Sequence, residues 1–361
     1  MTLVVARISG SRIAIVSDTM LSENGASLPI SQGVIKSCAL PGGICVSFSN
    51  SPELAWRDCW AFVGLYPEGA DFGDAVKYFE QSSRATGNEY IIAFCKFPKI
   101  VKIVAGRRQE TPAKTVWIGD KVAYEKFREY EARGIKTVQS GRAVSMVLFA
   151  DEIEQSPASD LYSAMRQVIL DNTTKSVGGF AYVLSNREDG FRQSVYCDML
   201  YDWPHETPDT YNIEYKDKLN FGSSGENDGY STSQLAPNYF NFNCVCFYVL
   251  KAKTAYLFHH SSTILADKCS VIANVQPTEL PAKLVALLGF DLGWLVWIAS
   301  GHSNTNMTDF RTGDENSSNG IQMGFKMEQN TFPPSNQPPR PPLPPLELTF
   351  TREIPTKAST G

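Results

Sequence analysis

The chain has 361 residues, 43% hydrophobic and 20% charged, a balance that allows a soluble chain to bury its own core. Its 33 basic and 38 acidic side chains give a formal net charge of −5 and form no basic stripe, which argues against nucleic acid as a partner. The eight cysteines are scattered through apolar surroundings and no charged n-region leads into an apolar segment after Met1, so reduced thiols and a cytoplasmic location are expected.

From the amino terminus, Leu3 to Ile8 is β-rich, Ser9-Gly10-Ser11 is a turn and Arg12 to Ser17 is a second β-rich run, which together read as a hairpin. Gly33 to Leu40, the turn Pro41-Gly42-Gly43 and Ile44 to Phe48 read as a second hairpin. A helix start comes next. Ser51 suits the N-cap, Pro52 the first helical position and Glu53 the positive end of the helix dipole. Leu54, Trp56, Cys59, Trp60 and Val63 then recur at near-helical spacing. A second helix is expected from Asp71 or Gly73 to about Ala85, with Val76 and Phe79 inward. Strands are expected at Tyr90 to Lys96, Ile100 to Ala105 and Thr115 to Ile118, then helices over about Lys121 to Arg133 and Ala158 to Leu170. Val177 to Leu184 and Ser194 to Leu200 read as strands around the turn Glu188-Asp189-Gly190. Strands, two helices, strands, two helices, strands is the order of two sheets between helical layers. The expected architecture over residues 1–203 is therefore an α+β, four-layer αββα sandwich.

Beyond Trp203 the composition changes, and a C-terminal extension of mixed strands and loops is expected over residues 204–332. His205 to Asn243 is rich in Gly, Ser, Asn and Asp and reads as a long loop or linker. Cys244 to Leu250 and Thr254 to His259 read as strands. The apolar stretch Leu284 to Ala299 is broken by Gly289, Asp291 and Gly293. A membrane span needs roughly 20 apolar residues, so this stretch reads as a buried helix or strand pair, and no membrane association is expected. Residues 333–361 form a proline-rich tail whose Pro333 to Pro345 segment should be extended polyproline II, a spacer.

The opening residues carry the chemistry. Removal of Met1 would leave Thr2 with a free α-amine. A threonine hydroxyl is a poor nucleophile until a base takes its proton. An α-amine, with a pKa near ~8, can be that base on the same residue. Met-Thr alone is a common start, and the residues after it matter more. An alternating segment leads to Ser17-Asp18, a second presents Ser31-Gln32-Gly33-Val34-Ile35-Lys36, and the small-residue stretch Ser47-Phe48-Ser49-Asn50-Ser51 breaks into a helix. Further on come Trp117-Ile118-Gly119, Gly178-Gly179-Phe180-Ala181-Tyr182-Val183 and Arg187-Glu188-Asp189-Gly190.

This ordered set resembles the N-terminal-nucleophile (Ntn) hydrolases of the proteasome type, namely the proteasome β subunits and the bacterial ATP-dependent proteasome-like protease, over about residues 2–200. The resemblance implies a threonine peptidase acting through an acyl-enzyme on Thr2. Lys36 would sit beside Thr2 as a cation, Asp18 would fix Lys36 by an ion pair, and the Ser49 N–H would donate to the oxyanion. Ser22 would align an extended substrate, and Leu21, Val34, Ser47 and Ser51 would line a neutral specificity pocket. The resemblance also implies a peptide or protein substrate, a homo-oligomer and an ATPase unfoldase as partner, with no cofactor and no metal.

The chain departs from the family at three places. Asp120 follows Gly119 where the family has serine. Asn172-Thr173-Thr174-Lys175-Ser176 lacks the aspartate that the family places before Gly-Gly, and Ser176 or Thr174 would have to replace part of that network. Ser49 stands where the turn is usually glycine. Two alternatives therefore stay open: a proteasome-fold scaffold or binding module without catalysis, and a small-molecule amidase. Other constellations are weaker. Cys244-Val245-Cys246 with His259-His260 lacks the spacing of zinc sites. No nucleophile elbow accompanies the histidines, and Gly222-Ser223-Ser224-Gly225 lacks the lysine of a phosphate loop.

Overall fold

The computed structural model of the protein describes residues 2–23, 26–109, 114–134, 139–140, 143–149, 157–171, 173–187, 190–194 and 196–202. Beyond them it describes 211–214, 220–223, 230–235, 243–249, 254–260, 269–275, 279–288, 294–301, 307–308, 315–316, 320–329 and 348–353. The turn at Glu188-Asp189 and the proline-rich segment lie outside these residues.

Helices and sheets are mixed throughout. The strands are β1 (Leu3–Ser9), β2 (Arg12–Asp18), β3 (Ser22–Glu23), β4 (Ala26–Ser27), β5 (Ser37–Leu40) and β6 (Ile44–Ser49), followed by helices α1 (Pro52–Leu65) and α2 (Phe72–Thr86). Next come β7 (Glu89–Phe94), β8 (Lys99–Val104), β9 (Arg107–Gln109), β10 (Thr115–Gly119), α3 (Lys121–Arg133), β11 (Gln139–Ser140), β12 (Ala143–Phe149), α4 (Ala158–Leu170), β13 (Ala181–Arg187), β14 (Gly190–Gln193) and β15 (Tyr196–Asp202).

The helix ends are set by local chemistry. Pro52 sits at the start of α1 after Ser51, although the Ser51 side chain makes no capping bond. Asp120 caps α3 by accepting from the N–H groups of Val122 and Ala123, satisfying two donors that the helix leaves open. Gly87 and Gly134 close α2 and α3 in the left-handed region, which glycine enters without a Cβ clash.

Two five-stranded sheets hold the N-terminal part. One runs β10-β1-β2-β13-β14 and the other β5-β6-β7-β8-β9. Every neighbouring pair in them is antiparallel. Strands β1 and β10 meet β6 and β8 of the other sheet, and β14 meets β5. Helix α1 packs on β5 and β6 and α2 on β7 and β8, while α4 packs on β2 and β13 and against α3. Leu3, Val5, Ile13, Ile15, Phe48, Trp56, Phe79, Ile92 and Met165 are all buried in one continuous core. The apolar face of each sheet is thus removed from water, the dominant favourable term in folding.

The strands differ from expectation in instructive ways. Residues 33–36 are extended but unpaired as strand, and β5 begins only at Ser37. Val177 to Phe180 likewise precedes β13, which begins at Ala181. Beyond 203, the polar segment expected as loop contains the strands Tyr211–Glu214, Asn220–Ser223 and Tyr230–Leu235. Tyr230–Leu235 pairs with β15 on one side and Asn243–Val249 on the other, so tertiary pairing overrides a polar composition. These belong to a seven-stranded sheet of β11, β12, β15, Tyr230–Leu235, Asn243–Val249, Thr254–His260 and Cys269–Ile272. Strand pairing thus continues across residue 203. The stretch Leu280 to Ser300 divides into a helix, Leu280–Leu288, and a strand, Trp294–Gly301. No helix among the described residues is long and apolar enough to cross a membrane.

Candidate active site

The first sheet brings Thr2 and Asp18 together. Because β1 and β2 are antiparallel neighbours, with Val4 opposite Ser17, the residue entering β1 stands beside the residue ending β2. The Thr2 hydroxyl donates to Asp18 Oδ1 at 2.7 Å, and the Leu3 N–H donates to the same oxygen at 3.1 Å. Lys36 arrives from the other direction. Its Nζ donates to Asp18 Oδ1 at 2.8 Å and to the Met20 carbonyl at 2.5 Å. The third ammonium proton has no acceptor among the described residues. Thr2 is 4% exposed, Asp18 0% and Lys36 2%.

A buried ammonium is unstable unless it is paired and hydrogen-bonded. Burial pushes the Lys36 ammonium below its usual pKa of 10.5, while the charge of Asp18 and the hydrogen bond to it work the other way. The surroundings hold this lysine in place. Val34 N–H donates to the Thr19 carbonyl at 2.7 Å, the Trp56 indole N–H on α1 to the Ile35 carbonyl at 3.0 Å, and Phe48 N–H to the Lys36 carbonyl at 3.0 Å. The second Asp18 oxygen accepts from Gly178 N–H at 3.3 Å.

The end of β10 closes the other side. Asp120 N–H donates to the Thr2 carbonyl at 2.7 Å. Gly119 has φ +99°, and a Cβ there would lie 2.0 Å from the Thr2 carbonyl oxygen, so only glycine fits. Ser176 Oγ donates to Asp120 Oδ2 while Asp120 Oδ1 caps α3. The carboxylate on the residue after Gly119 and the hydroxyl ahead of Gly178 thus pair with each other.

The turn from β6 into α1 supplies backbone donors. Since Phe48 N–H points to Lys36, alternation along the strand turns the Ser49 N–H toward β7 and the Asn50 N–H back to the Lys36 side. Asn50 is exposed, has φ +80°, and its N–H has no acceptor among the described residues. Ser49 is 2% exposed.

No family model matches the sequence, and no curated protein matches it. Among solved structures the chain is similar to eukaryotic HslV from Trypanosoma brucei, at 13% sequence identity over 51% of this chain and 98% of that chain, with a TM-score of 0.36. A likeness at this level carries no functional conclusion.

The remaining residues expected at the site divide. Val34 and Ser47 are fully buried, with Ser47 Oγ hydrogen-bonded to Ser37 Oγ at 2.8 Å. Leu21, Ser22 and Ser51 are only partly buried. Among the described residues no group of three or more His, Cys, Asp or Glu side chains could hold a metal.

Two residues had no sequence signal. Glu89 Oε2 accepts from Ser49 Oγ at 3.0 Å and from Gly119 N–H at 3.0 Å, tying the β6 turn to the end of β10. Asn88, fully buried, accepts from Ser51 N–H at 2.8 Å and donates to the Ser51 carbonyl at 3.1 Å. Asn50 Nδ2 donates to the Gly87 carbonyl at 2.9 Å. Residues 87–89 thus clamp the turn from beneath. Asn88→Ala leaves both Ser51 groups without that partner and is expected to lower the unfolding free energy by about 1–3 kcal/mol. Urea unfolding checks this, and an unchanged midpoint would mean that the clamp does not form.

Proposed function

We propose that the protein is an N-terminal threonine amidohydrolase of the proteasome type, most simply a peptidase, whose nucleophile is Thr2 once the chain preceding it is removed. A single observation carries the reading: Thr2 Oγ1, Lys36 Nζ and the Leu3 N–H converge on one buried carboxylate oxygen of Asp18. Two facing sheets, with α1 and α2 on one and α4, itself packed against α3, on the other, support the αββα arrangement that this reading implies.

In this mechanism the freed α-amine of Thr2 takes the proton from Oγ1 as the oxygen attacks the substrate carbonyl carbon. The carbonyl electrons move onto oxygen, the amine proton passes to the leaving nitrogen, and the C–N bond breaks to leave an ester on Thr2. Water, deprotonated by the same amine, then hydrolyses the ester. Asp18 orients the hydroxyl and anchors Lys36, whose positive charge lowers the amine's pKa. The oxyanion donor is the N–H of Asn50, one residue beyond the Ser49 expected from the sequence, because it is exposed and faces Lys36. Ser22 and Leu21, with Ser51, would receive an extended, uncharged segment of substrate. A ring-shaped homo-oligomer, an unfoldase partner and a cytoplasmic location accompany this reading as further proposals.

The Ser176 hydroxyl bonded to Asp120 supplies part of the network left open by the missing aspartate, which supports the catalytic reading over the inactive scaffold. Hydrolysis of peptides and of simple acyl amides, compared side by side, separates a peptidase from a small-molecule amidase.

The pH profile should be a bell. The amine must be neutral, so rate rises with pH through its pKa, at or below ~8. Lys36 must be charged, so rate falls as pH rises through the Lys36 pKa, which burial places below 10.5. A rate still at its plateau at pH 10.5 would contradict the buried-lysine assignment.

A further inference from the structure

We infer that the segment beyond residue 203 is a working part of the active site, in which Phe247 and Phe258 act as positioning residues for the loops that hold Asp18 and Lys36. The inference rests on the hydrolase reading above, but its structural half can be tested independently.

The segment Gly178–Phe180 is zipped onto residues 18–20. Gly178 N–H donates to Asp18 Oδ2 at 3.3 Å, Met20 N–H to the Gly178 carbonyl at 3.1 Å, and Phe180 N–H to Thr19 Oγ1 at 2.9 Å. Gly179, with φ +71°, allows the approach, since a Cβ there would lie 2.4 Å from Thr19 Oγ1. Met20 in turn gives its carbonyl to Lys36 Nζ. A shift of Gly178–Phe180 therefore moves a ligand of Asp18 and the loop that carries a ligand of Lys36.

What holds Phe180 comes from beyond residue 203. Its ring stacks on Phe247 with centroids 4.4 Å apart and planes 8° apart. Tyr256 lies 5.5 Å from it, and Phe258 meets it edge-on at 6.3 Å. Phe247 and Phe258 also pack together at 5.7 Å. Phe247 and Phe258 are fully buried and Phe180 nearly so, all three within the main core. The same segment reaches the lysine side. A Cβ on Gly33 would lie 3.0 Å from Phe258 Cε1, and Gly33 begins the extended stretch that ends at Lys36. Strand Cys269–Ile272 contacts the single turn Ile30–Gln32. The two aromatic rings thus brace both loops of the ion pair from one side. Aromatic pairs of this geometry hold their partners more specifically than area burial alone.

The test uses the full chain and the variants Phe247→Ala and Phe258→Leu, the second retaining most of the buried volume. Two readouts are taken: covalent labelling of Thr2 by a threonine-directed epoxyketone at saturating probe, and hydrogen exchange of peptides over 176–184. In Phe247→Ala, labelling should slow by about 10- to 100-fold, as for groups displaced by about an ångström. Exchange over 176–184 should quicken by at least ~10-fold while α1 peptides stay unchanged. Phe258→Leu should show smaller effects of the same sign. Unchanged exchange over 176–184, or quickened exchange with labelling at the parental rate, would overturn the inference. If the parent itself is not labelled, the hydrolase reading fails, and exchange alone decides whether the aromatic brace exists.

Discussion

Lys36→Met is expected to abolish labelling of Thr2 and to lower stability by about 3–5 kcal/mol, the usual result of removing one partner from a buried ion pair. The Asp18 carboxylate would remain buried with the donors from Thr2, Leu3 and Gly178 but no cation. The double variant Asp18→Asn/Lys36→Met removes both charges. It should regain most of the lost stability, because a neutral pair avoids the desolvation penalty, while remaining inactive. Urea unfolding and probe labelling on the parent, both single variants and the double variant separate the two roles. If Lys36→Met is as stable as the parent, the pair is not buried as described. If it labels at the parental rate, the lysine has no part in the chemistry.

Thr2→Ala is expected to lose labelling and hydrolysis completely while keeping the fold. It forfeits one hydrogen bond to Asp18, about 1 kcal/mol, and that oxygen still accepts from Lys36 and Leu3. Thr2→Ser keeps both the hydroxyl and the α-amine and should retain labelling at a reduced rate. Blocking the α-amine should silence the parent without changing its unfolding midpoint, because the base would be lost while the packing stays intact. Activity that persists in a chain with an acylated Thr2 amine would remove the proposed base from the mechanism.

The parts of this site that were legible in the sequence depend on local chemistry. Pro52 after Ser51 marks a helix start by a rule that acts within one turn, and α1 begins there. Asp18 at the end of a hairpin that starts beside Thr2 is likewise a local inference, because two antiparallel strands joined by Gly10 must bring their ends together. The illegible parts depend on register between distant segments. Asn88 and Glu89 serve the turn at 49–51 only because β6 pairs with β7 so that Ser49 faces Glu89. No spacing in the sequence announces this. The choice between the Ser49 and Asn50 N–H groups turns on which side of one strand faces Lys36, a one-residue question that composition cannot answer. The polar strand Tyr230–Leu235 is fixed by its two neighbours rather than by its own residues. The Phe180–Phe247 stack joins positions too far apart for any sequence pattern to connect.

The most direct measurement is the intact mass of the mature protein before and after treatment with a threonine-directed epoxyketone, with Thr2→Ala alongside. The predicted result is a chain beginning at Thr2 that gains the mass of one probe molecule, mapped to Thr2, with no gain in Thr2→Ala. A functional protein that still carries Met1, or an adduct that persists in Thr2→Ala, would contradict the assignment of Thr2 as nucleophile and base.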